Sequence, residues 1–192
     1  VMIVLMWTWI RGTRHVQAQA RRSATPTAAL IEMLARSDRL VEVPGTAVFL
    51  TAEPDIAPAA LLHNLKHNKV LHEKNVILSV ATQDRPRVPE SERVRMEPIS
   101  EDFSRLIVSY GFMETPNVPR ALGLCRKKGL KFDIMSTSFF LGRRSIVPSA
   151  RHGMPLWQDR LYIFLMRNAA NPTDFFHIPP GRVVEMGTQV QV

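Results

Sequence analysis

The sequence has a single cysteine, few glycines and no charged residue among its first ten positions. One thiol, Cys125, cannot form a disulfide framework within the chain, and sparse cysteine is typical of a reducing compartment. With 9 glycines in 192 residues and 22% charged residues, the chain is not collagen-like, low-complexity or strongly disordered. Its hydrophobic content of 45% is enough for one compact domain with a real core.

Acidic residues are in the minority, and none occurs before Glu32. The 25 Lys and Arg exceed the 17 Asp and Glu, which gives a formal charge of +8 and raises nucleic acid or an anionic membrane as a partner. Half of this excess lies in one short cluster, formed by Arg11, Arg14, Arg21 and Arg22. Because the cluster follows an apolar segment, it suits anionic lipid head groups better than a nucleic-acid surface, and no nucleic-acid partner is predicted.

Residues 1–10 are apolar but too few to cross a bilayer, since ten helical residues rise only about 15 Å. Trp7 and Trp9 close to the end of this run, with arginines after it, are typical of a transmembrane helix that leaves the bilayer on the cytoplasmic side. A signal peptide would carry its charges before the apolar run. The pattern predicts the end of a transmembrane helix at 1–10, with the two tryptophans and four arginines at the membrane interface. An ordinary buried helix is the alternative.

Residues 11–40 are predicted to be a basic juxtamembrane connector, and residues 41–192 a cytosolic domain. Short apolar runs at 46–51 and 75–81 predict buried strands, and the segment 55–70 between them predicts a helix. A strand, a helix and a strand of this size imply parallel strands with a right-handed crossover.

Further periodic segments extend this pattern to the end of the chain. They predict strands at 93–97, 103–110, 132–141 and 184–192, the last half-buried at a sheet edge, and helices at 118–128 and 155–169. In the last helix, a stripe of Trp157, Leu161, Phe164 and Leu165 is expected in the core. Interleaved strands and helices predict an α/β or α+β fold, with a mixed sheet flanked by helices.

A histidine-rich segment, residues 63–72, is the strongest candidate for chemistry. A helix would place His63 and His67 on one face, where two imidazoles can bind a metal ion. The glutamate of a His-Glu-x-x-His motif and a cysteine pair are both absent, so an ordinary polar helix face is favoured and neither a metal nor a cofactor is predicted.

The loop after the first strand, Thr51-Ala-Glu-Pro-Asp55, is a poor phosphate site. It has no glycine, Pro54 lacks an N–H donor, and two carboxylates repel an anion. A phosphorylated or nucleotide regulator would instead meet a cationic surface, although such cations are usually only solvated. That surface comprises His63, Lys66, His67, Lys69, Arg143 and Arg144. No Gly-x-Ser-x-Gly elbow and no acid/base pair is present, so no enzyme activity and no catalytic residue is predicted.

Four segments of the chain closely resemble one family. Residues 44–51, 58–73, 75–78 and 174–187 are similar to the C-terminal cytosolic region of bacterial Kup-type (KUP/HAK/KT) potassium uptake permeases. The long His-Asn-Leu-Lys-His-Asn segment within 58–73 and the Arg-Val-Val-Glu-Met-Gly segment before the tail carry most of the likeness.

The resemblance implies a potassium:proton symporter of the cell membrane whose transport residues lie in membrane helices outside this chain. This chain would then contribute a cytoplasmic domain for regulation, assembly or stability. Its implied partners are its own transmembrane domain, a second copy in a homodimer and a nucleotide regulator such as cyclic di-AMP. A stand-alone α/β module that binds a nucleotide or nucleic acid is the alternative function.

Overall fold

The computed structural model describes residues 1–22, 25–36, 40–127, 136–147, 155–169 and 172–191. The chain forms two compact units. The first, here called the helix-pair unit, comprises Val1–Ala24, Arg143–Ala170 and Gly187–Val192. The second, the sheet unit, comprises Thr25–Gly142 and Asn171–Met186. The boundaries predicted at residues 10 and 40 stay predictions.

Among the described residues, six strands form one mixed sheet. They are β1 (Val41–Thr51), β2 (Val70–Gln83), β3 (Val94–Pro98), β4 (Phe103–Gly111), β5 (Thr137–Val147) and β6 (Val183–Gln191). Their order across the sheet is β3-β4-β2-β1-β5-β6. β4, β2, β1 and β5 run parallel, and β3 pairs with β4 in the antiparallel sense. The predicted mixed α/β sheet and the predicted edge position of the tail strand are confirmed.

Helices precede, connect and follow these strands. They are α1 (Met2–Arg22), α2 (Thr27–Ala35), α3 (Ala59–His63), α4 (Glu90–Arg93), α5 (Val118–Lys127), α6 (Leu156–Arg167) and α7 (Pro172–Phe175), with a π-helical turn at Asn64–Asn68 and a 3₁₀ turn at Pro180–Arg182. The helices predicted at 118–128 and 155–169 are confirmed. The predicted helix at 55–70 begins only after Pro58, because the pyrrolidine ring suits the residue before the first helical turn.

The core of the sheet unit lies on both faces of the sheet. Successive strand residues point to opposite faces, so Val48 packs on one side and Phe49 on the other. Val118, Leu122 and Cys125 of α5 cover the Val48 face. α2 and α3 cover the Phe49 face, through Leu30 and Leu61. Cys125 is therefore a buried thiol, as its place on the apolar stripe predicted, and its Sγ donates to the carbonyl oxygen of Ala121.

The topology reverses between β1 and β5. The chain runs outward from β1 to β2 and β4, and β5 then lies on the other side of β1. Ligands of open α/β sheets bind at the carboxyl ends of the strands beside such a reversal. The loop that leaves the carboxyl end of β1 at that position is residues 52–58, here called the β1–α3 loop.

The prediction that α6 buries its aromatic stripe is wrong. Trp157 and Phe164 are 54% and 63% exposed, whereas Gln158, Asp159 and Tyr162 on another face of α6 are fully buried. α6 packs against α1, which receives the Tyr162 face. Periodicity identifies an apolar stripe but not what covers it, and this stripe is not the face that meets α1.

α1 joins the apolar run at the start of the chain and the first part of the predicted basic connector in one helix. Within the described part of the chain, no helix is both long and apolar enough to cross a membrane.

Candidate functional site

The β1–α3 loop is paired with the chain's own residues 25–27. The N–H of Thr27 donates to the carbonyl oxygen of Asp55 over 3.0 Å, and the N–H of Ala57 donates to the carbonyl oxygen of Thr25 over 2.9 Å. Pro26 and Ile56 form an antiparallel bridge between them. These pairings engage the main chain where a phosphate would bind.

The residues between α3 and β2, here called the histidine turn (residues 63–69), are shaped by two asparagines. The buried Asn64 donates its side-chain amide to the carbonyl oxygen of Val70 over 2.9 Å, and Asn68 donates to the side-chain oxygen of Asn64 over 2.8 Å. The N–H of Lys69 donates to the main-chain oxygen of Asn64, and Lys69 has a φ of 55°. The asparagines of the signature segment therefore hold a structural turn.

The structure brings the two predicted histidines together. The ring centres of His63 and His67 lie 5.6 Å apart with the rings inclined by 26°. His63 is half-buried, while Lys66, His67 and Lys69 are exposed. Among the residues that the structure describes, no group of three or more His, Cys, Asp or Glu side chains is arranged to hold a metal ion. The histidine turn therefore carries a stacked pair of imidazoles and two exposed lysines.

Arg143 and Arg144 were predicted to belong to the same surface as the histidine turn, but the structure does not test this. Arg143 is an exposed residue of β5 and belongs to the helix-pair unit. The side chain of Arg144 lies outside the described residues. The predicted regulatory surface is therefore described only for His63, Lys66, His67 and Lys69.

The predicted membrane-interface residues lie on α1. Trp7, Trp9, Arg14 and Arg21 are exposed and Arg11 is half-buried, whereas the side chain of Arg22 lies outside the described residues. One side of the helix carries a shallow groove of about 380 Å³, lined by Trp7, Ile10, Arg11, Arg14, His15 and Ala18. The guanidinium carbon of Arg11 lies 5.5 Å from the ring centre of Trp7, and Arg11 also donates to the side-chain oxygen of Gln158 over 3.3 Å. Two contacts thus fix the position of Arg11.

The contact between α1 and α6 buries three polar side chains. The side chains of Thr8, Gln158 and Asp159 are fully buried. Neither carboxylate oxygen of Asp159 has a hydrogen-bond partner among the described residues. Burial raises the pKa of Asp159 above its ordinary value of 3.8, and the electrostatic influence of His15 opposes this rise. The α1–α6 contact therefore favours the protonated carboxyl.

Sequence reasoning missed an ion-pair cluster at the carboxyl end of β4. Arg93 and Glu114 form a salt bridge of 2.5 Å with both side chains mostly buried, and Arg93 lies 4.8 Å from the ring centre of Tyr110. The hydrogen bond from Arg93, with those from the N–H groups of Gly111 and Val88, lowers the pKa of Glu114 to about 2. No spacing in the sequence joins these residues, because Arg93 ends α4, Tyr110 lies in β4 and Glu114 is in the loop that follows β4. The cluster ties residues 85–93 to residues 111–117.

A small cleft beside this cluster was also missed. It measures about 260 Å³ and is lined by Thr82, Tyr110, Gly111, Phe112, Glu114, Thr115, Pro116 and Phe175. Phe112 and Phe175 are exposed at its rim. The cleft lies at the carboxyl ends of β2 and β4, away from the reversal between β1 and β5.

Comparison with known families assigns most of the chain, including its sheet, to one family. A family model described as "K+ potassium transporter C-terminal domain" matches residues 44–192, which include all six strands except the first residues of β1. The chain belongs to this family. The Kup-type resemblance read from the residues is thereby confirmed.

Curated relatives extend the similarity to the helix-pair unit. The chain is 63% identical over 191 residues to the "Probable potassium transport system protein Kup" of Caulobacter vibrioides strain NA1000, a match that covers 100% of this chain and 29% of that protein. It is 56% identical over 189 residues to "Kup 1" of Rhizobium etli, covering 97% of the chain and 30% of the relative. It is 53% identical over 192 residues to the Kup protein of Brucella abortus strain S19, with coverages of 100% and 29%.

The chain spans less than a third of the length of the relatives named above. No solved structure matches it. The relatives carry the names of potassium transport proteins rather than of enzymes or nucleic-acid-binding modules.

Proposed function

We propose that this chain is the cytoplasmic regulatory and assembly domain of a potassium:proton symporter that imports potassium across the cell membrane. The observation that carries the proposal is the similarity of the whole chain to potassium transport proteins, of which it covers 29% to 30%. Coupling to protons and the cytoplasmic position follow from the Kup-type resemblance. The residues that conduct potassium lie outside this chain, so its own contribution is to influence or hold the transporter.

The pairing of residues 25–27 with the β1–α3 loop supports a regulatory role. These residues follow α1 in the chain, and α1 carries the predicted membrane-interface residues. Two main-chain hydrogen bonds and a bridge tie them to the loop at the carboxyl end of β1. A displacement that reaches residues 25–27 would therefore be passed on through these hydrogen bonds to the loop at the carboxyl end of β1.

The experiment measures potassium uptake by the full-length protein in a bacterium that lacks its own potassium uptake systems. Ala57→Pro removes the N–H that donates to the carbonyl oxygen of Thr25. Ala59→Pro is the matched control, because Ala59 is the first residue of α3, where proline is tolerated. We expect Ala57→Pro to change uptake at equal protein level in the membrane and Ala59→Pro to leave it unchanged. Equal uptake by both variants and the parent would contradict the regulatory role of this pairing.

A nucleotide regulator at the histidine turn is a second candidate function. What supports it is that the exposed Lys66 and Lys69 lie in the same turn as the stacked imidazoles of His63 and His67. A thermal-shift screen with ATP and cyclic dinucleotides tests it, with Lys66→Gln and His67→Gln as variants and Lys74→Gln as an exposed cationic control. A shift that the turn variants abolish and the control retains supports the candidate, and no shift with any nucleotide rejects it.

The proposed homodimer is tested separately. Light scattering on the 192-residue chain gives its mass directly. Twice the mass of 21.8 kDa supports a dimer of this domain, and 21.8 kDa at all accessible concentrations contradicts it.

A further inference from the structure

The helix-pair unit buries several polar side chains beside Val16 and Tyr162, while it exposes many large apolar ones. Polar side chains are buried where α1 meets α6, namely Thr8, Gln158 and Asp159. Large apolar side chains are exposed instead. They are Val1, Met2, Ile3, Val4, Met6, Trp7, Trp9 and Ile10 at α1, and Leu156, Trp157 and Phe164 at α6. A helix pair surrounded by water shows the opposite arrangement.

The charges of the two helices share one sign at the surface. α1 has no acidic residue, and the single acid of α6 is the buried Asp159. Arg14, Arg160 and Arg167 are exposed. An exposed surface that combines aromatic and aliphatic side chains with arginines is complementary to the head-group region of an anionic bilayer.

We propose that α6 is a membrane-surface helix, which lays its Trp157 and Phe164 stripe on the head groups of anionic phospholipids. The inference rests on the proposed function, which places α1 beside a membrane, and it adds α6 as a second lipid contact far along the chain. A second copy of this chain is a weaker occupant for the stripe. Two such surfaces would bring arginines together without an exposed acid on either helix to pair with them.

The first test measures binding of the 192-residue chain to vesicles by flotation. Vesicles of phosphatidylcholine alone are compared with vesicles that also contain phosphatidylglycerol. We expect stronger binding to the anionic vesicles, a loss of about tenfold or more in Phe164→Ser from the apolar area withdrawn, and a loss of about fivefold in Arg160→Gln, which changes an exposed arginine on the same face of α6. Phe112→Ser is the matched control, because Phe112 is 62% exposed, against 63% for Phe164, and belongs to the sheet unit. It should bind like the parent chain.

The second test locates α6 on the vesicle. In a Trp7→Phe, Trp9→Phe variant, Trp157 is the one remaining tryptophan of the sequence. Its fluorescence should be quenched by phosphatidylglycerol brominated near the head group. Added inorganic phosphate should not displace the chain if the partner is a membrane surface rather than a free anion. Efficient competition by phosphate would overturn the membrane assignment.

The remaining outcomes also decide the inference. Circular dichroism and the melting temperature of each variant are compared with those of the parent, so that a loss of folding is recognised. Equal vesicle binding by Phe164→Ser and Phe112→Ser, or no preference for anionic vesicles, overturns the inference. A change of molecular mass in Phe164→Ser, without a change in vesicle binding, assigns the stripe to a second copy and also overturns it. Potassium uptake that depends on the Thr25–Ala57 pairing would leave the proposed function standing in each of these cases.

Discussion

The ring of Tyr162 lies against Gly12, in the space that a β-carbon on that residue would fill. The same ring contacts Trp9, with ring centres 5.8 Å apart. Glycine at this position of α1 is therefore what allows α6 to approach with Tyr162 fully buried.

Gly12→Ala should separate α1 from α6. The added methyl group overlaps the Tyr162 ring, and overpacking of this kind costs about 1–3 kcal/mol. Gly123→Ala is the control, because a β-carbon on this exposed residue of α5 meets nothing within 4 Å. It should gain up to about 1 kcal/mol through helix propensity. Both changes gain helix propensity. Urea unfolding measures both, and a Gly12→Ala chain that gains as much stability as Gly123→Ala would contradict the packing described.

Glu114 should make the stability of the sheet unit depend on pH in the acid range. Its pKa is about 2 in the folded chain and 4.5 ordinarily, so the folded state binds fewer protons. The stabilisation is present above pH 4.5 and is lost as the pH falls toward 2. Unfolding free energies measured across this window should fall steeply in the parent and less in Glu114→Gln.

The control for this prediction is Glu90→Gln. Glu90 forms an exposed salt bridge of 3.1 Å with Arg120. Exposed pairs of this type contribute about 1 kcal/mol or less, so this variant should keep the pH profile of the parent. A Glu114→Gln profile identical to that of the parent would show that the buried pair is not the source of the acid sensitivity.

Asp159 should make the chain less stable as the pH rises, the opposite of the effect of Glu114. Its pKa is raised by burial, so its contribution to stability is complete below pH 3.8 and is lost as the pH rises through the folded-state pKa. Asp159→Asn keeps the shape without the charge and should be more stable than the parent at neutral pH, with no such loss. Asp174→Asn, at an exposed position of α7, is the control. Melting temperatures from pH 4 to 8 distinguish the variants, and a less stable Asp159→Asn at neutral pH would count against the buried, unpaired carboxylate.

Replacement of Lys69 by glycine should raise the free energy of unfolding. Its φ of 55° lies in the left-handed region, which costs a residue with a β-carbon about 1–2 kcal/mol. Lys69→Gly should therefore stabilise the histidine turn by about 1 kcal/mol. Lys66→Gly removes the same charge from a π-helical position and should destabilise by about 1 kcal/mol. Urea unfolding decides, and the same sign for both changes would contradict the described turn.

The sheet was predictable from the sequence because its signals are local. The apolar runs around Val48 and Ile77 have the length and composition of buried parallel strands, and the helix stripe of Val118, Leu122 and Cys125 packs where its period indicates. The pairing of His63 with His67 followed from helical spacing alone.

The helix-pair unit and the loops were not predictable in the same way. The α6 stripe has helical period, but which face meets α1 depends on Gly12 and Tyr162, which are 150 positions apart. Arg93 and Glu114 meet only because the end of α4 packs against the loop that follows β4. The pairing of residues 25–27 with the β1–α3 loop uses main-chain groups, which leave no trace in residue type.

Potassium uptake by the full-length form of the proposed transporter, with and without residues 41–192, tests the central claim most directly. The measurement uses a host without other potassium uptake systems and compares cells that hold equal amounts of each protein in the membrane. A regulatory and assembly domain predicts slower uptake, or less assembled transporter, when these residues are removed. Uptake and membrane assembly identical to those of the intact protein would contradict the account.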